Sequence, residues 1–298
     1  MNVIECSELA KSFGKVAALS NLSLTIEPEK ITGIIGPNGA GKTTFLKIIS
    51  GFIAPSSGEI KVFAENPFNS LLVSVNAINL DDSMPLPAAM PLADILDAAG
   101  AFYPGWDGGL AKRLLAYFEI NPRATYPALS RGKKSTFTSI LGIATRCPLT
   151  MFDEPTTGMD AAVRKDFYRA LLKDYLQHPR TILLSSHLLN EIQDILEDVL
   201  LINAGTKVLH QPVAELKEYA VGLRGRAADV RRLAPASRVI RQENFGKDSI
   251  YAVVVRSEGI RERAAAAGVE TTPVSAADLC VYLTAGSKGG IDDVFSQN

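Results

Sequence analysis

The 298-residue sequence has few cysteines, almost no net charge and no long apolar run. Its three cysteines, Cys6, Cys147 and Cys280, lie far apart without Cys-x-x-Cys spacing, which argues against a disulfide framework and a zinc site. The 31 basic residues nearly balance the 32 acidic ones, so the net charge of the molecule does not favour binding of nucleic acid. Nucleic acid is therefore not expected as a partner. No apolar run approaches the roughly 18 residues typical of a membrane span, and we expect a soluble chain in a reducing compartment.

Short runs rich in Val and Ile alternate with stretches of helical periodicity along most of the sequence. This alternation is typical of an α/β fold with a partly parallel sheet. The predicted strands are residues 2–6, 22–26, 31–35, 59–63, 77–80, 149–152, 181–184 and 199–202. The predicted helices include residues 42–49, 92–102, 133–145 and 160–176.

A change of composition after residue 218 predicts a domain boundary. Residues 1–218 are expected to form the first domain, with a helical subdomain at about residues 84–146 that follows a proline-rich connection. Residues 219–298 are expected to form a small accessory α/β domain, in which residues 249–255, 258–267 and 269–274 are a strand, a helix and a strand. The arginines after the boundary would face solvent, anionic lipid or nucleic acid.

A glycine-rich loop connects the predicted strand 31–35 to the predicted helix 42–49. A phosphate chain needs several converging backbone N–H donors, and glycine permits both the turn and the close approach. The helix N-terminus adds a favourable dipole, Lys42 can reach the terminal phosphates, and the Thr43 hydroxyl is suited to ligate Mg²⁺. The loop therefore predicts ATP binding. The predicted nucleotide-binding residues here are Gly36, Pro37, Asn38, Gly39, Ala40, Gly41, Lys42, Thr43 and Thr44.

Two carboxylates, Asp153 and Glu154, end the predicted apolar strand 149–152. A hard cation beside phosphates prefers oxygen ligands, so Asp153 is a candidate Mg²⁺ ligand. Glu154 can then act as the general base that polarises the attacking water. Without the phosphate loop, two solvated acids at a strand end would be the simpler interpretation.

One histidine, His187, directly follows the predicted strand 181–184 and its two serines. At the C-terminal edge of a parallel sheet, this side chain can reach a γ-phosphate and the attacking water. Lys42, Glu154 and His187 are therefore the predicted catalytic residues. No comparable context surrounds His178 or His210, which receive no role.

The order of these elements resembles the ATP-binding subunit of an ABC transporter. The phosphate loop, the Asp153–Glu154 pair, the turn Gly158-Met159-Asp160 and His187 carry the resemblance, which covers about residues 1–218. It implies a P-loop NTPase fold of ABC ATPase type with a helical subdomain and an antiparallel β part. It also implies ATPase activity that uses ATP and Mg²⁺.

The resemblance implies roles for two further residues near the nucleotide. Phe13, in Lys-Ser-Phe-Gly at residues 11–14, occupies the place of the aromatic side chain that stacks on adenine. Packing in the core is the alternative for this ring. Asp160, in the turn that follows the carboxylate pair, is implied to lie at the nucleotide.

The family signature Leu-Ser-Gly-Gly-Gln appears here as Leu-Ser-Arg-Gly-Lys at residues 129–133, which we call the signature segment. The resemblance implies that Ser130 and Gly132 face the γ-phosphate bound by a partner subunit. The basic residues Arg131 and Lys133 leave open whether two composite sites hydrolyse ATP equally.

A second departure concerns the glutamine that usually links Mg²⁺ and water to the membrane partner. Asp82 replaces it, or Asp81 if the alignment shifts by one residue. An aspartate can still bind the metal, but it cannot donate a hydrogen bond. Coupling to a partner is therefore expected to differ.

The resemblance also implies partners and a location. These are a transmembrane permease, a second ATPase subunit of identical or different sequence, and a cytoplasmic position on the inner face of the cell membrane through the permease. The signature segment and residues 102–107 resemble a bacterial exporter branch with a separate permease. Two alternatives remain: an ATP-dependent regulatory or sensor module with weak hydrolysis, and a soluble ABC-type ATPase that acts on nucleic acid or the ribosome. The absence of heptads between Lys42 and Ser130 weighs against the second.

Overall fold

The computed structural model describes residues 2–235, 239–245 and 248–285. The chain divides into two compact units, Met1–His210 and Gln211–Asn298. This division lies slightly ahead of residue 218, the predicted end of the first domain. Among the described residues, no helix is both long and apolar enough to cross a membrane.

The first unit contains strands and helices that alternate along the chain. The strands are β1 (Ile4–Phe13), β2 (Val16–Ile26), β3 (Ile31–Ile35), β4 (Ser57–Val62), β5 (Ala77–Leu80), β6 (Leu149–Asp153), β7 (Thr181–Ser186), β8 (Asp198–Asn203) and β9 (Thr206–Pro212). The helices are α1 (Lys42–Ile49), α2 (Leu71–Asn76), α3 (Leu92–Phe102), α4 (Gly108–Tyr117), α5 (Arg131–Thr145) and α6 (Ala161–Gln177).

A six-stranded sheet in the order β5-β6-β7-β3-β8-β9 lies at the centre of this unit. The pairs β5/β6, β6/β7, β7/β3 and β3/β8 are parallel. Every residue of β3, β6 and β7 is buried, as expected for parallel strands that are covered on both faces. The predicted α/β class with a partly parallel sheet is confirmed.

A separate antiparallel sheet in the order β2-β1-β4 forms the predicted antiparallel part. The hairpin of β1 and β2 extends well beyond the predicted strands 2–6 and 22–26. Its outer part contains exposed polar residues, so the hydrophobic pattern did not indicate strands there. The pairing shifts register between Cys6 and Leu9, where Glu8 adopts a φ of 51°.

The chain between β5 and β6 is helical and contains α3, α4 and α5. The predicted range 92–102 agrees with α3, and α5 begins two residues before its predicted start. Helix α4 was missed because it begins with Gly108 and Gly109, which are weak helix formers. Its N-cap, Asp107, compensates by accepting a hydrogen bond from the Leu110 amide at 2.8 Å.

A partly buried ionic network joins the C-terminal end of α5 to α4 and α6. Arg146 Nη2 lies 3.0 Å from Asp107 Oδ2 and 2.9 Å from Asp174 Oδ1. Arg180 Nη1 lies 2.8 Å from the other oxygen of Asp174, and both of these side chains are almost fully buried. Burial lowers the pKa of Arg180, while the Asp174 carboxylate acts in the opposite direction.

The second unit is built around an antiparallel sheet in the order β11-β12-β10-β13. Its elements are α7 (Val213–Tyr219), β10 (Ala220–Arg226), α8 (Ala227–Leu233), β11 (Val239–Phe245), β12 (Ser249–Val255), α9 (Ile260–Ala266), β13 (Glu270–Pro273) and α10 (Ala276–Thr284). From β10 to β13 the order is βαββαβ, the split βαβ arrangement. Side chains of Val221, Leu223 and Val254 contribute to its own core, which includes Val230 and Ile260.

Candidate functional site

The candidate site is located where the parallel strands β6, β7 and β3 end. Asp153 at the end of β6 pairs with Ser185 of β7, and Ile35 at the end of β3 pairs with Ser186. The amide of Gly36 donates to the Ser186 carbonyl at 3.3 Å. The phosphate loop therefore begins beside β7, the strand that pairs with the end of β6 where the carboxylate pair lies.

Close backbone contacts fix the phosphate loop in place. A Cβ on Gly36 would lie 2.2 Å from the Ile202 carbonyl oxygen, and one on Gly41 would lie 2.5 Å from the Ala18 oxygen. Gly41 also has a φ of +106°, which side chains rarely permit. In contrast, a Cβ on Gly39 would meet no atom within 4 Å. The loop is thus packed on its inner side between β8 and β2 and accessible on its outer side.

Lys42, the first residue of α1, is buried and points back along the loop. Its Nζ donates to the carbonyls of Gly36 at 2.8 Å and Pro37 at 3.3 Å. The same ammonium lies 3.2 Å from Oε1 of Glu154. Two of the predicted catalytic residues therefore form an ion pair.

Glu154 also contacts the third predicted catalytic residue. Its Oε2 lies 2.9 Å from Nδ1 of His187, which is exposed. The carboxylate thus lies between the Lys42 ammonium and an imidazole. In this position the carboxylate can accept a proton from water. Until it does so, either the Lys42 ammonium or the His187 ring can stabilise its negative charge.

Sequence reasoning missed Ser185, which contacts both predicted carboxylate residues. The Ser185 hydroxyl donates to Asp153 Oδ1 at 2.5 Å and accepts a hydrogen bond from the Glu154 amide at 2.9 Å. A hydroxyl two residues before His187 was the available signal, but only the register of β6 against β7 reveals its partner.

The residues present fit a magnesium ion that binds together with nucleotide phosphates. Among the described residues, no group of three or more His, Cys, Asp and Glu side chains could hold a metal. Mg²⁺ in phosphate sites usually takes one or two carboxylates and completes its shell with phosphate oxygens and water. Asp153 at the end of β6 and the exposed Thr43 at the start of α1 meet this requirement.

The signature segment is fixed to the loop that follows Glu154. Ser130 is the N-cap of α5 and accepts a hydrogen bond from the Lys133 amide at 3.4 Å. A Cβ on Gly132 would lie 2.3 Å from the Gly158 carbonyl oxygen. One turn further along α5, the Ser135 hydroxyl donates to the Thr157 carbonyl at 2.8 Å.

We expect Gly132→Ala to lower the free energy of unfolding by about 1–3 kcal/mol, because the added methyl group meets backbone atoms that cannot move independently. Urea denaturation measures the change. Gly109→Ala is the matched control, since its Cβ would meet the flexible end of Arg113 at 3.1 Å. Equal stability of the two variants would contradict the close packing at Gly158.

The two acidic candidates for the missing glutamine have different partners. Asp82 Oδ2 lies 3.6 Å from Nη2 of Arg131, and both side chains are largely exposed. Asp81 Oδ2 instead lies 3.9 Å from Nζ of Lys47 on α1, and its other oxygen accepts from Ser83. The Asp82–Arg131 pair therefore joins the two positions at which the sequence departs from the family pattern.

Phe13 and Asp160 are the two further residues that the resemblance assigns to the nucleotide. Phe13 ends β1 with 51% of its surface exposed, and Lys11 Nζ lies 5.2 Å from the ring centroid. Exposure excludes the alternative in which this ring fills the core. Asp160 is the N-cap of α6, where its carboxylate accepts from the amides of Ala162 and Val163.

Known proteins resemble this chain over most of its first unit. A family model described as ABC transporter matches residues 19–157. The chain is 30% identical to the ABC transporter ATP-binding protein YtrB of Bacillus subtilis, over 72% of this chain and 74% of that protein. It is 28% identical to the Nod factor export ATP-binding protein I of Cupriavidus metallidurans, over 74% of each. It is 27% identical to the high-affinity zinc uptake system ATP-binding protein ZnuC of Bacillus subtilis, over 70% and 94%.

Solved structures share the fold. An ATP-binding subunit of an ABC transporter has a TM-score of 0.63 at 20% identity and covers 72% of this chain and 92% of its own. A dimeric bacterial ABC transporter cassette has a TM-score of 0.62 at 19% identity and covers 70% and 98%. These similarities confirm the predicted P-loop NTPase fold of ABC ATPase type. With the YtrB match and the order of the motifs, they show that the chain belongs to the family of ABC transporter ATP-binding proteins.

Proposed function

We propose that this chain hydrolyses ATP to drive a separate transmembrane permease. The observation that carries the proposal is the position of the Glu154 carboxylate, 3.2 Å from Lys42 Nζ and 2.9 Å from His187 Nδ1, beside the phosphate loop. Phosphoryl transfer to water needs positioning and charge stabilisation more than covalent chemistry. This arrangement offers a base, a cation and a polar side chain at one sheet edge.

The proposed roles follow from these contacts. Residues 36–44 bind the phosphates through backbone amides and the Lys42 ammonium. Glu154 holds the attacking water and accepts its proton, and His187 orients the Glu154 carboxylate. Asp153 and Thr43 would hold Mg²⁺, and the bound ion would supply positive charge beside the phosphates. Phe13 stacks on the adenine, and its exposed ring supports this role.

We further propose that two ATPase subunits form the complete sites. Ser130 and Gly132 lie at the N-terminus of α5. In the assembled pair, these two residues and Asp160 lie against the nucleotide of the other subunit. A structural neighbour described as a dimeric cassette supports this arrangement. In this proposal residues 1–218 form the ATPase domain, with a helical subdomain at about 84–146, and residues 219–298 form the accessory domain.

Export is the direction that we propose, with the chain held at the cytoplasmic face of the membrane by its permease. The resemblance of the signature segment to an exporter branch supports export, as does the name of the Nod factor relative. The name of the zinc uptake relative is the counterexample. Transport assays in membrane vesicles with the permease distinguish the two directions.

A second candidate function is an ATP-dependent sensor with weak hydrolysis. The observation that favours it is Asp82, which lies beside Arg131 of the altered signature segment and, unlike a glutamine, cannot donate a hydrogen bond to a partner. Measurement of phosphate release with and without the permease separates the candidates. A transport engine is stimulated by its permease, whereas a sensor stays slow.

Replacing Lys42 with alanine is expected to weaken ATP affinity by about 10- to 150-fold, because a hydrogen bond from a charged group is worth about 1.5–3 kcal/mol. Isothermal titration calorimetry with Mg²⁺ and ATP measures the change. Lys112→Ala is the control, since Lys112 lies on the exposed face of α4 and pairs with Asp97. Equal affinities of the two variants would overturn the assignment of the phosphate loop.

A further inference from the structure

The backbone of Glu154 adopts an unusual conformation. Its φ is +50°, in the left-handed region that residues with side chains rarely occupy. Such a conformation persists only where surrounding contacts hold it, and it is often found at functional sites.

Two hydroxyl groups hold the peptide units on both sides of Glu154. Ser185 Oγ accepts a hydrogen bond from the Glu154 amide at 2.9 Å. The hydroxyl of Thr157 donates to the Glu154 carbonyl at 2.9 Å, and the Thr157 amide donates to the same carbonyl at 3.2 Å. The backbone on each side of the carboxylate is therefore anchored.

The hydrogen-bond directions at Ser185 are fixed by chemistry. An amide can only donate, so the Ser185 oxygen must accept from Glu154, and its single proton is then available for Asp153. That proton is directed at Asp153 Oδ1, with 2.5 Å between the oxygens. Both Ser185 and Asp153 are buried, at 1% and 7% exposure, so water competes little for these bonds. One hydroxyl thus links the orientation of Asp153 to the backbone of Glu154.

The linked residues differ in what they contact. Glu154 reaches the Lys42 ammonium and the His187 ring, whereas Asp153 is held by Ser185 on the neighbouring strand. A rotation of the Glu154 peptide would displace its carboxylate from both neighbours. Because a displacement of about 1 Å can cost about 100-fold in rate, small changes in this backbone have large consequences for catalysis.

We propose that Ser185 is a positioning residue for ATP hydrolysis. It aligns the proposed general base Glu154 and the proposed metal ligand Asp153 through a single oxygen atom, and Thr157 supports the same backbone from the opposite side. The proposal rests on the proposed function of Glu154 and adds a residue that the sequence motifs do not include. It predicts a larger effect on turnover than on nucleotide binding.

The test compares Ser185→Ala, Ser185→Thr and Thr157→Val in ATPase assays of the full chain. Ser185→Ala is expected to lower kcat by about 10- to 100-fold while KM for ATP changes by less than about threefold. Ser185→Thr keeps the hydroxyl and is expected to recover most of the lost kcat. Thr157→Val is expected to lower kcat in the same direction without altering the interior of the sheet.

The matched control is Thr150→Val, which removes a buried hydroxyl from β6 that bonds to the Cys147 carbonyl at 3.0 Å. It is expected to leave kcat within about twofold, because it lies at the other end of the strand from the carboxylates. A Ser185→Ala protein that fails to fold leaves Thr157→Val to decide the result. An unchanged kcat in the folded variants, or equal losses in kcat and ATP affinity, would overturn the proposal.

Glu154→Gln, measured in parallel, separates the role of Ser185 from the proposed function of Glu154. An inactive Glu154→Gln protein beside a fully active Ser185→Ala protein overturns only the role of Ser185. A fully active Glu154→Gln protein overturns the proposed function itself. Loss of activity in both, with ATP binding retained, supports both.

Discussion

Glu154→Gln is expected to lower kcat for ATP hydrolysis by about 10²- to 10⁴-fold, the usual contribution of a general base. Glutamine keeps the shape of the side chain but cannot accept a proton from water. Its amide also replaces the negative charge that lies 3.2 Å from the Lys42 ammonium. ATP binding should therefore persist, because the phosphate loop is intact and the like-signed crowding of carboxylate and phosphate is relieved.

Phosphate release and nucleotide affinity, measured on the same preparation, check this expectation. Glu59→Gln is the control, because it makes the same chemical change at an exposed position of β4, away from the site. Normal turnover in Glu154→Gln would refute the role of Glu154 as base. Turnover and ATP affinity that fall together would show that Glu154 serves binding instead.

The same variant provides a way to test for the proposed permease. If ATP stays bound, two copies are expected to remain closed on each other, and the assembly should survive purification from detergent-solubilised membranes. A membrane protein in the eluate that is absent with Lys42→Ala supports transport. An eluate that contains ribosomes or nucleic acid would instead favour a soluble ATPase.

Asp174→Ala is expected to lower the free energy of unfolding by about 3–5 kcal/mol, because it removes one partner from a buried ion pair. Its carboxylate accepts from Arg146 Nη2 at 2.9 Å and from Arg180 Nη1 at 2.8 Å. The alanine variant leaves the Arg180 guanidinium buried without a counter-charge. This loss is large relative to the total stability of an ordinary domain.

Thermal and urea denaturation measure the effect. Asp97→Ala is the surface control, since Asp97 pairs with Lys112 and both side chains are exposed. This substitution should lower the free energy of unfolding by no more than about 1 kcal/mol. Asp174→Asn keeps the shape and should be less destabilised than the alanine variant. A small effect for both Asp174 variants would show that water relieves the buried charges.

Much of the nucleotide-binding segment could be predicted from the sequence alone. The predicted ranges 31–35 and 42–49 agree with β3 and α1 because glycines mark the loop between an apolar run and a helical pattern. The predicted strand 77–80 also agrees with the observed strand β5. Local composition is sufficient where hydrophobic pattern and turn residues indicate the same boundary.

Other features depend on contacts between distant segments and could not be predicted. Ser185 is ordinary in the sequence, and its importance follows from the pairing of β7 with β6. The Asp82–Arg131 contact joins residues that only the packing of α5 brings together. The left-handed backbone of Glu154 likewise has no local signal, because residues other than glycine and asparagine rarely indicate it.

Helix α5 is anchored at both ends, and this has a mechanical consequence. Gly132 abuts Gly158 at its start, and Arg146 links its end to α6 through Asp174. A helix held in this way transmits force as a stiff rod rather than bending. A displacement of Ser130 would therefore require a movement of Gly158, because the neighbouring Gly132 lies in close contact with the Gly158 backbone. In the proposed paired assembly, contact of a second subunit at Ser130 would thus be coupled to the position of Glu154, the proposed base.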